Sequence, residues 1–172
     1  MKPKRIPLDG EWLLRWDDGE RGERLQRVLA GDADWERGWT ADVPGSVHET
    51  LLAHGVIPEP NLGTNVLACR WVEETFWYYR RTFRVPKLAA AERAVLCFDT
   101  LDLTATICLN GVEVGCHNNA FRPCRIDVTA ALRPGTNELV VRLESGLFSA
   151  AHRPADGLNP VSYTHLTLPT RG

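Results

Sequence analysis

Apolar alternation at a two-residue period, broken at short intervals by turn residues, predicts an all-β protein: an antiparallel β-sandwich with one or two short helices. Three stretches carry that expectation. Trp77, Tyr79, Arg81 and Phe83 alternate with Tyr78, Arg80, Thr82 and Arg84, which gives a half-buried strand an aromatic core face and a cationic face. Leu103, Ala105, Ile107 and Leu109 alternate with Thr104, Thr106 and Cys108 up to Asn110-Gly111, and Val112 and Val114 resume the period beyond. Asn-Gly tolerates the positive φ angles of a type I′ turn, so this stretch reads as a hairpin. The third stretch, Leu139 to Leu143, follows an Arg133-Pro134-Gly135-Thr136 turn.

The remaining elements follow in chain order. Leu8 to Trp16 opens with a Gly turn and places Trp12, Leu14 and Trp16 on one face of a first strand. Residues 17–38 lose periodicity and read as irregular cover, with a short helical turn expected from Glu23 to Leu29. At Ser46 a helix starts, because its hydroxyl can cap the amide of Glu49 while the Glu49 carboxylate reaches back. Gly55 ends it, and Val47, Leu51 and Leu52 form the expected inner face. Pro86 stops the aromatic strand, Leu88 to Glu92 makes a loop or helical turn, and Ala94 to Phe98 is apolar enough to be buried on both faces. A further strand is expected between Phe121 and Val128.

At 172 residues the chain can bury one good core, and one domain over residues 1–150 is expected, with 151–172 as an irregular tail. A formal net charge of -2, with 44% hydrophobic and 24% charged residues, removes any broad electrostatic case for nucleic acid or an anionic membrane. Five cysteines are an odd number with no CxxC spacing, and Cys97, Cys108 and Cys124 lie in strand-like runs as expected buried thiols. A reducing compartment, the cytoplasm, is the expected location. The basic start Met1 to Arg5 leads into Leu8-Asp9-Gly10-Glu11 rather than the apolar run of a secretion signal, and no stretch is long enough to span a bilayer.

Chemistry-bearing constellations are sparse. His48, His54, His117, His152 and His165 are scattered without zinc-site spacing, and there is neither a Gly-x-Ser-x-Gly elbow nor a Gly-rich phosphate loop. Glu73 and Glu74 are adjacent, so on a strand they would point to opposite faces and could not cooperate across one substrate. Asp99, Asp102 and Asp127 read as turn acceptors. No catalytic residue, metal or cofactor is expected. Trp77 and Tyr79 share a face whose usual fate is the core. Asn61 and Asn65 differ, because a loop that also holds Pro58, Pro60 and Gly63 is a rigid surface loop carrying both donors and acceptors. Turn chemistry and ligand binding both remain open for these two amides.

Val43 to His48, Leu51-Leu52, Gly55-Val56-Ile57-Pro58-Glu59-Pro60, Gly63-Thr64-Asn65, Trp71-Val72-Glu73 and Trp77 to Phe83, in that order and spacing, resemble the N-terminal domain of β-mannosidases of glycoside hydrolase family 2. Asn110-Gly111, Asn118-Asn119-Ala120-Phe121, Asp127-Val128-Thr129 and Gly135 to Leu139 resemble that domain's later strands, so the resemblance covers about Leu8 to Ser145. It departs at Val66, where β-mannosidases often carry an acidic residue.

The resemblance implies a jelly-roll, galactose-binding-domain-like sandwich. The parent would be a retaining exo-glycosidase removing terminal β-mannose, with both catalytic glutamates on a separate (β/α)8 barrel downstream. It also implies that the domain packs against this barrel in cis, that Asn61 and Asn65 reach a carbohydrate-binding pocket rim only when the barrel is present, and that this chain is itself non-catalytic. Residues 160–172 resemble a translated sequencing adapter and are expected to be non-native, the native frame stopping near Asn159. A family 2 β-glucuronidase or β-galactosidase parent, and a free-standing carbohydrate-binding module, are the alternatives.

Overall fold

A computed structural model describes residues 4–17 and 35–146. The expected helical turn at Glu23 to Leu29 and the tail at 151–172 lie outside the described residues. Eight strands are seen among these: β1 (Gly10–Asp17), β2 (Trp39–Val43), β3 (Phe76–Val85), β4 (Val95–Phe98), β5 (Thr104–Leu109), β6 (Val112–His117), β7 (Cys124–Asp127) and β8 (Gly135–Glu144). Two short helices, α1 (Val47–Ala53) and α2 (Asn65–Ala68), and two 3-10 turns, Trp35–Arg37 and Arg70–Val72, complete the described elements. The strands form a six-stranded sheet, β2-β1-β3-β8-β5-β6, and a two-stranded sheet of β4 and β7, with every pairing antiparallel. The expected all-β sandwich with little helix is therefore the observed one.

The core lies between the two sheets. Trp12, Leu14, Trp77, Tyr79, Leu139, Val141, Ala105, Ile107 and Leu109 come from the large sheet, and Leu96, Cys124 and Val128 from the side of the small one. Gly115 permits a close approach of the two sheets, since a Cβ there would lie 2.8 Å from Ile126 Cδ1, so β6 packs against β7. The hairpin turn is as expected: Asn110 and Gly111 have φ of 53° and 82°. Both halves of the capping box form, with Glu49 N donating to Ser46 Oγ at 3.1 Å and Ser46 N to a Glu49 carboxylate oxygen at 2.8 Å.

Burial departs from the expected pattern in several places. On α1, Leu51 and Thr50 face inward and Leu52 faces solvent, because the helix lies on β2 along a stripe that Val47 begins and that excludes the next position round. β4 buries only one face: Val95 and Cys97 are exposed, since a two-stranded sheet covers the core and has no layer behind it among the described residues. Cys97 is thus a surface thiol, whereas Cys108 and Cys124 are buried as expected. Conversely, the supposedly cationic face of β3 is partly a core, for Phe76 and Tyr78 pack with Cys108, Val140 and Trp35 in a second cluster. Beside it Arg80 pairs with Glu138, its Nε donating at 2.7 Å, and the Arg142 guanidinium lies 5.2 Å from the Phe76 ring centre. The strand expected from Phe121 begins only at Cys124.

One polar side chain is buried as deeply as the core. Asn137 Oδ1 accepts from Asn110 Nδ2 and Arg133 N, both at 2.8 Å, while its Nδ2 donates to Arg133 O at 2.7 Å and Gly135 O at 3.1 Å. Asn110 extends the node, donating to Ala131 O and accepting from Glu138 N. The node welds the β5–β6 turn to the turn that opens β8.

Two stability outcomes follow. Asn137→Ala leaves several buried partners unsatisfied, each worth roughly 1–3 kcal/mol, and should lower unfolding free energy by about 3 kcal/mol in urea titrations. Ser46→Ala should cost about 1 kcal/mol in the same titration, because it removes only the cap; a cost equal to that of Asn137→Ala would contradict this account of the node.

Candidate functional site

The loop that carries Asn61 and Asn65 is braced by its own hydrogen bonds. Asn61 Nδ2 donates to Glu59 Oε1 at 2.9 Å and Asn65 Nδ2 to Glu59 O at 3.0 Å, so Glu59 gathers both amides. Leu62 N bonds to Glu59 O and Asn65 N to Leu62 O, which carries the chain into α2, and Cys69 is buried beneath against Pro58 O. Turn chemistry thus uses one donor group of each asparagine. Each side-chain oxygen has no hydrogen-bond donor among the described residues.

A cluster of indoles fixes the loop to the sheet. Trp77 Nε1 donates to Val72 O at 2.8 Å, Thr75 Oγ1 to Trp71 O at 2.8 Å, and Ser145 Oγ to Glu73 O at 2.7 Å. Trp16 stacks on Trp39 with centroids 4.8 Å apart and meets Trp71 edge-on at 5.7 Å, while Trp71 and Trp77 are 5.8 Å apart. Glu73 and Glu74 lie in this turn rather than on a strand; Glu74 forms a 3.6 Å ion pair with Arg70. Burial holds the His48 imidazole on α1 below its ordinary range, against the opposing pull of Glu73.

Strand registers place these groups at one end of the sandwich. Trp77 pairs with Leu143, Thr104 with Glu144, and Ala105 with His117. The start of β3, the end of β8, the start of β5 and the end of β6 are therefore together. At this end the loop presents an apolar crest, with Leu62, Val66 and Leu67 exposed by 63%, 58% and 70%. The signal of this crest in the sequence is three large aliphatics within six residues beside the turn formers Pro60, Gly63 and Thr64.

Other chemistry is muted. Burial pushes the Cys108 thiol up to about 11, with Glu113 adding to the rise and Arg142 opposing it, so it stays protonated and unreactive near neutral pH. Asp127 acts as a turn acceptor, taking the Thr129 N–H at 3.0 Å. A shallow hollow lined by Glu11, Trp12, Leu13, Arg80, Arg81 and Thr82 opens where β1 and β3 diverge, and Arg81 Nη1 bridges it to Glu11 O at 3.0 Å. Among the described residues no group of three or more His, Cys, Asp or Glu gathers as metal ligands, and no helix is long and apolar enough to cross a membrane.

The sandwich is shared with known glycosidases. Residues 24–166 match the glycosyl hydrolase 2 galactose-binding domain-like family. The chain is 37% identical over 140 residues to β-mannosidase B of Thermothelomyces thermophilus, an alignment that covers 81% of this chain and 15% of that protein. Among solved structures, the β-D-mannosidase of Dictyoglomus thermophilum superposes with a TM-score of 0.70 at 32% identity, covering 87% of this chain and 17% of that one. A Bifidobacterium dentium β-glucuronidase superposes with a TM-score of 0.59, also at 32% identity, over 80% of this chain and 20% of its own. The chain thus spans about one sixth of the length of the β-mannosidases it matches. The chain therefore belongs to the glycosyl hydrolase 2 galactose-binding domain-like family.

Proposed function

We propose that the chain is the N-terminal sandwich of a β-mannosidase-like retaining glycoside hydrolase whose parent removes terminal β-D-mannose, the sandwich itself being non-catalytic. The observation that carries this reading is the β-mannosidase likeness over four fifths of the chain, at a higher TM-score than the β-glucuronidase. In this reading the partner is a catalytic barrel in cis, which supplies both carboxylates and the other wall of the pocket. The loop at 58–72 then lines the rim, where the side-chain oxygens of Asn61 and Asn65 meet sugar hydroxyl donors. The crest of Leu62, Val66 and Leu67 supports the same arrangement, since apolar side chains held on a braced loop suit a surface that is covered in the whole protein. Unpaired thiols at Cys97 and Cys116 favour a reducing location such as the cytoplasm.

The test is to express the chain with and without its downstream coding sequence and assay aryl β-mannoside and aryl β-glucuronide. The expected result is turnover by the longer protein alone, with mannoside preferred; preference for the glucuronide would transfer the parent to the rival activity. In the longer protein Asn65→Ala should raise KM for the mannoside about fivefold, the loss of one hydrogen bond to substrate, with kcat little changed. An unchanged KM would remove Asn65 from the rim.

A further inference from the structure

We propose that Phe121 is a docking anchor, a ring that inserts into an apolar pocket, rimmed by a carboxylate for Arg122, on the remainder of the parent protein. The proposal rests on reading the chain as one domain of a longer glycoside hydrolase. Phe121 is 93% exposed, the most exposed of the large apolar side chains among the described residues. Removing an apolar ring from water is favourable, so a phenyl group held in solvent is a source of binding free energy.

The ring is exposed on a structured turn. Phe121 N donates to Asn119 Oδ1 at 2.9 Å, His117 Nε2 donates to Asn119 O at 2.6 Å, and Arg122 N reaches the same carbonyl at 3.4 Å. Pro123 then restricts the backbone before Cys124, which is buried and pairs with Phe98. Because the backbone under the ring is already ordered, docking would cost little conformational entropy. A fixed aromatic with an exposed arginine beside it has the composition of an interface hot spot.

Position selects the occupant. The Phe121 turn follows His117, which pairs with Ala105, and the neighbouring Thr104 pairs with Glu144, so the turn shares the sandwich end with the last described strand and the 58–72 loop. Relatives of this chain carry most of their length outside the matched region, which makes that remainder the partner at hand. A sugar platform fits less well, because both acceptor oxygens of Asn119 are already engaged within the turn instead of being offered to hydroxyl groups.

The experiment compares Phe121→Ala and Phe121→Trp in the 172-residue chain and in the same protein extended by its downstream coding sequence. Hydrogen exchange at residues 118–122 should be at least tenfold slower in the extended protein than in the chain, and Phe121→Ala should abolish the difference while Phe121→Trp retains much of it. The melting temperature of the chain should not change with either substitution. Equal exchange in the two proteins, or protection that survives Phe121→Ala, overturns the anchor, as does a mannose titration that shifts the Phe121 ring resonances of the chain. Mannosidase turnover without protection sinks the anchor alone, whereas a downstream sequence that adds no folded domain sinks the parent reading and the anchor together.

Discussion

The start of β3 is the constraint around which the domain is built. Phe76, Trp77, Tyr78 and Tyr79 are four consecutive buried aromatics, and on a strand their side chains must alternate between faces. Trp77 and Tyr79 are satisfied by the inter-sheet core, and Phe76 and Tyr78 by a second cluster behind the sheet. A strand so loaded cannot lie at an edge. It occupies the middle of the large sheet, with β1 on one side and β8 paired through nine positions on the other. The remaining strands extend the sheet outward from this pair.

The same aromatics determine where the candidate site lies. The Trp77 indole N–H would be buried without a partner if Val72 O were absent, so the segment before β3 turns back over the sheet and closes that bond. Trp16, Trp39 and Trp71 then pack around it, joining β1, β2 and the loop. Core packing, which also takes in Cys69, Trp71 and Val72 from the loop, thereby orders its exposed part. The Asn110–Asn137 node performs a comparable task at the opposite end, replacing side-chain packing with saturated hydrogen bonding.

Between these ends the domain is asymmetric. One end is closed by tight turns, and the other gathers exposed Leu62, Val66, Leu67 and Phe121 near the end of β8. Exposed apolar groups on braced backbone are costly to retain in an isolated domain, because water gains nothing from them and the chain has already lost its entropy. They are consistent with a domain that works against a neighbour, and with a chain that spans only about a sixth of its matched relatives.

The sequence by itself determined the elements whose signals are local. The Asn110-Gly111 turn, the Ser46–Glu49 capping box and the end of β3 before Pro86 depend on backbone preferences and side-chain reach within four residues, and each is formed as its sequence requires. Asn61 was likewise legible as a loop amide, whereas Asn65 opens α2, and their common attachment to Glu59 was not legible. Only the tertiary structure decided which apolar residues are buried. Ala94 to Phe98 reads as a doubly buried strand and has one bare face, Tyr78 reads as surface and is core, and Phe121 reads as strand and projects into water. The reason is that burial depends on what lies opposite a side chain, which is set by the unequal sizes of the two sheets and by strand partners distant in the chain, beyond the range of any local pattern.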